Sequence, residues 1–259
     1  MKRNSALLGM TLMVCSLGLA QDPNSERVVV PARDSTHARK VDVSLMGGSI
    51  TVKSYAGKEV IVEARGRGAD PGRDAGKAPE GMHRLDLPPR GLSVEEENNV
   101  VTVRMRNLQP AAVTISVPPD TSLKLRTMNG EITVEGVKGE LDVNSHNGTI
   151  VLTNVSGSVL ANTMNGTMKV AMDSVDPNKP LSFSSMNGTI DVTLPADLKA
   201  NVKLATDHGQ IYSDFDVKLG GGATTPKAMG STVNGTINGG GTEAAFKTFN
   251  GTIYLRKKK

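Results

Sequence analysis

The sequence predicts an all-β fold, and within that class a β-solenoid whose coils have roughly eighteen residues and two strands each. The first observation is a phrase that returns along the chain, as TMNGEITV at 127–134, SHNGTIVL at 145–152 and TMNGTMKV at 163–170. The second is the spacing of the glycines at positions 130, 139, 148, 157 and 166, which are nine residues apart, with an asparagine before every second one. The third is a short apolar alternation in each nine-residue unit, which indicates a strand with one buried face.

The first twenty residues are predicted to be a secretory signal peptide. Lys2 and Arg3 form a basic start, an apolar stretch follows, and the small residues Gly18 and Ala20 indicate cleavage after position 20. The apolar stretch is too short to span a membrane. Cys15, the single cysteine, lies within it, and lipidation of Cys15 is the alternative to this cleavage. We therefore expect export to the periplasm, the cell surface or the extracellular medium.

The front third is predicted to be β structure of a less regular kind. Residues 21–39 are expected to be an N-terminal segment, and the solenoid domain is expected to span 40–256. Within it, the stretch 40–54 looks like the repeat with Gly-Gly in place of Asn-Gly, and further strands are expected within 59–66, 92–105 and 111–127. Residues 66–91 are rich in glycine, proline and charge, which predicts a long exposed loop.

Two architectures fit the repeated corner. An antiparallel meander uses Asn-Gly as a hairpin turn, but it gives no reason for the threonine or serine that stands two places before each asparagine. In a solenoid, equivalent residues stack about 4.8 Å apart, so asparagine side chains can bond to those above and below them. We therefore expect a solenoid with a structural ladder formed by Asn129, Asn147, Asn165, Asn187, Asn234 and Asn250.

The residue three places after the asparagine position is predicted to face the core. It is apolar in every copy, and the same position of each coil lies on the same side of the strand. The predicted core stripe is Ile132, Ile150, Met168, Ile190, Ile211, Ile237 and Ile253. Where the repeat spacing lengthens, segments 173–181, 216–231 and 238–245 are expected to be loops and the main contact surfaces. Residues 257–259 are predicted to be a basic tail.

Composition and motifs narrow the function classes. Without Lys2 and Arg3 the chain has 28 basic and 26 acidic residues, so it lacks the basic footprint of a nucleic-acid-binding protein. The four histidines show no metal-ligand spacing. Calcium-binding nonapeptide repeats share the nine-residue period, but the positions where they need aspartate hold Glu131, Thr149 and Thr167. No cofactor and no metal are expected.

The best candidate for catalysis is the carboxylate pair Asp214 and Asp216, with Asp191 as a further member. A glycosidase needs two carboxyl groups about 5–9 Å apart in a cleft, and residues i and i+2 of a strand are about 6.6 Å apart. No arginine or histidine gathers beside them in sequence, so we expect no enzyme. The alternative, a carbohydrate-active β-helix enzyme acting on an envelope polysaccharide, requires these carboxylates to converge with a basic residue in a groove.

The stretch 113–167 combines a strand ending in Val-Pro, a second strand, and alternating N-G-x-I-x-V and x-G-x-L-x-V units. In these features it resembles a bacterial family of β-strand repeat domains of unknown function labelled "putative adhesin", and the resemblance extends over 40–256. It implies a secreted or envelope-attached β-solenoid and supplies no catalytic or binding residues. The expected function is non-catalytic binding, adhesion or scaffolding toward an envelope or extracellular polymer or protein. A filament that assembles through terminal strand edges is the second alternative.

Overall fold

The computed structural model describes residues 25–32, 38–66, 91–105, 110–224 and 231–259, and these residues form strands and turns without a helix. The predicted signal peptide, Cys15 and the interior of the predicted 66–91 loop lie outside the described residues. The front strands are Ser25–Val30 (β1), Lys40–Leu45 (β2), Ile50–Ser54 (β3), Val60–Gly66 (β4), Leu92–Glu97 (β5), Val100–Met105 (β6) and Ala111–Val117 (β7).

The regular repeats form eight strands in the middle of the chain. They are Ser122–Asn129 (β8), Ile132–Glu135 (β9), Leu141–Asn147 (β10), Ile150–Gly157 (β11), Val159–Asn165 (β12), Met168–Val175 (β13), Leu181–Asn187 (β14) and Ile190–Leu194 (β15). The last strands are Ala200–His208 (β16), Ile211–Ser213 (β17), Lys218–Thr224 (β18), Ser231–Ile237 (β19), Thr242–Asn250 (β20) and Ile253–Lys257 (β21).

Each coil of the repeat contributes one strand to each of two sheets. Sheet I has the order β1-β4-β7-β3-β9-β11-β13-β15-β21-β17, and sheet II has the order β18-β19-β16-β20-β14-β12-β10-β8-β2-β6-β5. From β8 to β15, consecutive strands alternate between the sheets, and neighbours within a sheet run parallel. Asn147 stands opposite Asn129 on one side and Asn165 on the other. The predicted all-β solenoid is therefore confirmed, and the antiparallel meander is wrong.

The stacking order of the coils departs from the chain order at both ends. The coil β2–β3 lies between β6–β7 and β8–β9. The last coil, β20–β21, lies between β14–β15 and β16–β17. The first and last coils of the chain are therefore held inside the stack, with a parallel neighbour on each side.

Antiparallel strands cover three of the four sheet ends in the described part of the chain. They are β1 and β4 on β7, β5 on β6, and β18 and β19 on β16. The β5–β6 hairpin turns through Asn98 and Asn99, whose φ angles of 50° and 64° suit a two-residue hairpin turn. The fourth end is β17, a strand of three residues, and short edge strands discourage pairing between molecules.

The inward side chains of both sheets form one apolar core. Its row in sheet I contains five members of the predicted stripe, all fully buried and in register: Ile132, Ile150, Met168, Ile190 and Ile253. Ile211 continues this row in the final coil, where it is half-buried. The prediction for Ile237 is wrong: it is buried in sheet II opposite Ala200, because β19 turns back along β16 instead of starting a new coil.

Several predicted boundaries lie elsewhere in the structure. Ser25–Val30 pairs with β4, so sheet structure begins before position 40. Much of two segments expected as loops forms strands, since 218–224 is β18 and 242–245 begins β20. In the basic tail, the backbone N–H of Lys258 donates to the Leu194 carbonyl (2.8 Å), and its Nζ pairs with Asp173 (2.6 Å).

Candidate functional site

A chain of side-chain hydrogen bonds runs along the corner between the two sheets. Nδ2 of Asn147 donates to Oδ1 of Asn129 at 3.0 Å, and the same bond joins Asn165, Asn187 and Asn250 in turn at 2.8 Å each. All five side chains are exposed. The prediction that Asn234 belongs to this ladder is wrong, because it lies on the antiparallel strand β19 opposite Lys203. His208 takes the corresponding place in the final coil, opposite Asn250.

The residues around each asparagine explain why the corner recurs. A Cβ at Gly148 would lie 1.9 Å from the carbonyl oxygen of Gly130 in the coil below, so only glycine fits there. Thr163 Oγ1 donates to the Gly148 carbonyl at 3.3 Å. The same bond to a glycine carbonyl of a neighbouring coil, at 3.0–3.5 Å, is made by Thr127, Ser145, Thr206 and Thr248. These hydroxyl side chains are buried and structural.

Replacement of Asn165 by alanine tests the contribution of the ladder to stability. The change removes two side-chain hydrogen bonds, and we expect the free energy of unfolding to fall by about 1–2 kcal/mol. Asn234→Ala is the matched control, because it removes an exposed asparagine from the same Asn-Gly-Thr context outside the ladder. Urea denaturation measures both variants, and equal losses would contradict a stabilising ladder.

A second column runs parallel to the asparagine ladder, one residue before it in each strand. The strand register aligns six residues, and Met46, the residue after β2, continues their row beside Met128. We call the seven residues the methionine column: Met46, Met128, His146, Met164, Met186, Phe249 and Asp207. With about 4.8 Å between strands, the column is about 29 Å long. The four methionines are 53%, 46%, 40% and 49% exposed, in that order, and Phe249 is 43% exposed.

The exposure of the methionine column points to an interaction. Polar and β-branched residues suit the outer face of a strand, and a single exposed apolar residue is ordinary. A contiguous row of them on one face is typical of a contact surface. Methionine is also the most adaptable apolar side chain, since its unbranched thioether can fit partners of different shape.

A groove of about 650 Å³ lies beside the methionine column on the outer face of sheet II. Small polar side chains two residues earlier in each strand form its floor: Ser44, Asn144, Asn162 and Ser184. Arg126 and Lys247 stand in the same row and bring positive charge to it. The Nδ2 of Asn144 donates to Asp142 at 2.7 Å, which orients the amide. The groove thus offers an apolar wall, a floor of amides and hydroxyls, two cations and, at one end, the carboxylate of Asp207.

The predicted carboxylates lie outside this groove. Asp191 forms a double contact with Arg256, Nε to Oδ1 at 2.7 Å and Nη2 to Oδ2 at 3.2 Å. The hydrogen bond from Arg256 to Asp191, and then the charge of Asp191, raise the pKa of the arginine above its ordinary value. Asp214 accepts the backbone N–H of Lys257 at 3.4 Å. Arg256 therefore neutralises Asp191, and the charge of Asp214 adds a smaller contribution to the rise in the pKa of Arg256. None of Asp191, Asp214 and Asp216 lines the groove.

One predicted contact segment, 173–181, is tied to another coil by an ion pair. In 173–181, Lys179 pairs with Glu140 at 2.6 Å and with Asp176 at 3.6 Å. The hydrogen bond to Glu140, and then its charge, raise the pKa of Lys179. In 216–231, the residues 225–230 lie outside the described part of the chain.

The described ranges also contain no cluster of three histidine, cysteine, aspartate or glutamate side chains suited to a metal ion. Over the same ranges, no helix is long and apolar enough to cross a membrane.

Comparisons with known proteins agree with the fold. A family model described as Toastrack DUF4097 matches residues 28–256. A solved structure from Clostridium sporogenes, described as a "putative cell adhesion protein", is 10% identical with a TM-score of 0.50, over 92% of this chain and 100% of that chain. Another, a "putative adhesin" from Bacteroides fragilis, is 9% identical with a TM-score of 0.42, over 92% and 98%. No curated protein matches the chain. At 10% identity, the similarity to the Clostridium sporogenes structure shows a shared fold and carries no information about function.

Proposed function

From the premise that the chain belongs to the Toastrack DUF4097 family, a family of domains of unknown function, we propose that it is an exported, envelope-associated binding protein without catalytic activity. Its partner lies along the outer face of sheet II. The observation that carries the proposal is the methionine column, in which five exposed apolar side chains and His146 form one row beside a groove. The fold supports this use, because a stack of in-register parallel strands is a rigid support for an extended surface.

The chemistry of the groove indicates the kind of partner. An extended polymer that follows the groove would cross one strand about every 4.8 Å. It would meet the thioether wall on one side and the amide and hydroxyl groups of Asn144, Asn162 and Ser184 below. Arg126 and Lys247, four strands apart, outnumber the one carboxylate of the lining, Asp207, and so favour a partner that carries negative charge. We therefore propose an anionic envelope polymer as the partner. A role in adhesion is also what the description of the Clostridium sporogenes protein names, and we propose the same role for this chain.

The triple variant Met128→Ser, Met164→Ser, Met186→Ser tests the proposal. We expect the dissociation constant for isolated bacterial envelope material, measured by co-sedimentation, to rise at least tenfold. Three large apolar contacts are lost, each worth about 1.5–3 kcal/mol when fully buried, and about 1.4 kcal/mol corresponds to a factor of ten. The circular-dichroism spectrum should stay that of the parent chain, since the three side chains are exposed.

The matched control removes three exposed apolar side chains elsewhere: Val29→Ser, Tyr212→Ser and Leu219→Ser. We expect this variant to bind envelope material like the parent. If both triple variants lose binding equally, or if neither loses binding, the assignment of the surface is wrong.

A separate assay tests the enzyme alternative. Release of soluble sugar from envelope polysaccharide by the purified chain, abolished in the double variant Asp214→Asn, Asp216→Asn, would establish that alternative instead.

A further inference from the structure

The methionine column also gathers metal-binding chemistry. It brings two thioethers and one imidazole to neighbouring strands of one sheet face, with Met128 on β8, His146 on β10 and Met164 on β12. We propose that these three residues bind the soft monovalent cation Cu(I) in the middle of the column. This inference goes beyond the proposed function, because metal binding at this place requires no polymeric partner.

The parallel register fixes how the three side chains stand to one another. Each of the three residues stands between a buried hydroxyl residue and a ladder asparagine. The register aligns these flanking residues across β8, β10 and β12, so the three residues lie side by side on one face of the sheet. With about 4.8 Å between strands, the two methionine backbones are about 9.6 Å apart, with the histidine midway. A methionine side chain is unbranched and has three rotatable bonds, so each thioether can lean over the imidazole from its own side.

The three side chains are also free to move into such an arrangement. Met128 and Met164 are 46% and 40% exposed, and His146 is exposed as well. Within the described ranges, no residue forms a hydrogen bond or an ion pair with the His146 imidazole. Its two ring nitrogens are thus not committed to the fold, unlike the neighbouring hydroxyls and amides.

The donor set identifies the class of ion. Thioether sulfur is soft and uncharged and selects Cu(I), and imidazole suits copper as well. Structural zinc sites use thiolate, imidazole or carboxylate ligands, and calcium and magnesium use oxygen. Asp207, the one carboxylate of the column, is four strands from His146. Arg126 lies two residues before Met128 on the same face, and neutral donors near a guanidinium favour a monovalent ion over a divalent one.

Anaerobic titration against the Cu(I)–bicinchoninate complex tests the site. All samples are the full chain with Cys15→Ser, so that the single thiol of the sequence cannot bind the metal. We expect the chain to withdraw one equivalent of Cu(I) from the complex. Met128→Leu, His146→Leu and Met164→Leu should each weaken Cu(I) binding at least tenfold, with an unchanged circular-dichroism spectrum because all three positions are exposed.

Met46→Leu is the matched control, since Met46 belongs to the same column but is two strands from His146. Its affinity for Cu(I) should equal that of the parent. Ag(I), a redox-inert substitute, should shift the imidazole resonances of His146 in the parent and not in a Met128→Leu, Met164→Leu variant. Failure to compete with bicinchoninate, equal losses in Met46→Leu and Met128→Leu, or equally tight binding of Zn²⁺ would overturn the proposal.

Discussion

Replacement of Gly166 by alanine is expected to lower the free energy of unfolding by about 2–6 kcal/mol. A Cβ at this position would lie 2.1 Å from the carbonyl oxygen of Gly148 and 2.7 Å from its carbonyl carbon, and φ is 156°. Both contacts are backbone, so no side chain can rotate away to make room. The strained backbone contributes about 1–3 kcal/mol, and the forced separation of two coils contributes about as much again.

Gly220→Ala is the matched control for the glycine column. A Cβ there meets no atom within 4 Å, so we expect stability that is unchanged or higher by up to about 1 kcal/mol, since alanine restricts the unfolded chain. Denaturant midpoints of the two variants measure the difference. Similar midpoints for Gly166→Ala and the parent would show that the coils can separate at the corner without cost, which contradicts close stacking as the reason for the repeated glycine.

The repeated corner explains how much of the fold can be predicted from the sequence. The Asn-Gly spacing and the apolar alternation are local signals, and they suffice for the coil, the strand direction and the ladder from Asn129 to Asn187. The position of the last coil is not local. After β15, either β16 or β20 could pair with β14. Both strands alternate apolar residues, and both end in the repeated corner, with histidine in β16 and asparagine in β20. Asn234 and Ile237 keep the local signature, yet they lie on β19, whose antiparallel pairing with β16 is fixed by tertiary contacts.

The candidate site was harder to predict for a related reason. In the sequence, the position before the asparagine varies, with Met128, His146, Asp207, Val233 and Phe249 among its residues, so the sequence alone indicates no regular apolar face. Only the stacking order brings four methionines and Phe249 to one face and removes Val233 from it. The sequence does contain one signal for this surface, which is the type of residue before the asparagine. In a strand that alternates between buried apolar and exposed polar residues, a large apolar side chain beside an exposed asparagine is unusual.

Glu96→Ala is expected to lower the free energy of unfolding by about 3–5 kcal/mol, because it leaves the guanidinium of Arg39 buried without its counter-charge. Arg39 Nη2 donates to Glu96 Oε1 at 2.8 Å, and the two side chains are only 6% and 7% exposed. The same guanidinium donates to the carbonyls of Val30, Pro31 and Lys58 at 3.1–3.3 Å. The pair therefore ties β5 to the end of β1 and to the turn before β4.

The exposed pair Arg27–Glu63, at 3.2 Å and 45% and 39% exposed, supplies the control for this prediction. Glu63→Ala should lower the free energy of unfolding by about 0–1 kcal/mol. Added salt should reduce this small loss. It should leave the loss in Glu96→Ala nearly unchanged, because buried ion pairs are screened much less than exposed ones. Hydrogen exchange gives the location: β1 and β5 should lose protection in Glu96→Ala before β10 and β12 do, because the pair lies at the antiparallel end of the stack. A cost below 1 kcal/mol, or protection lost first in the central coils, would show that the buried pair does not hold that end closed.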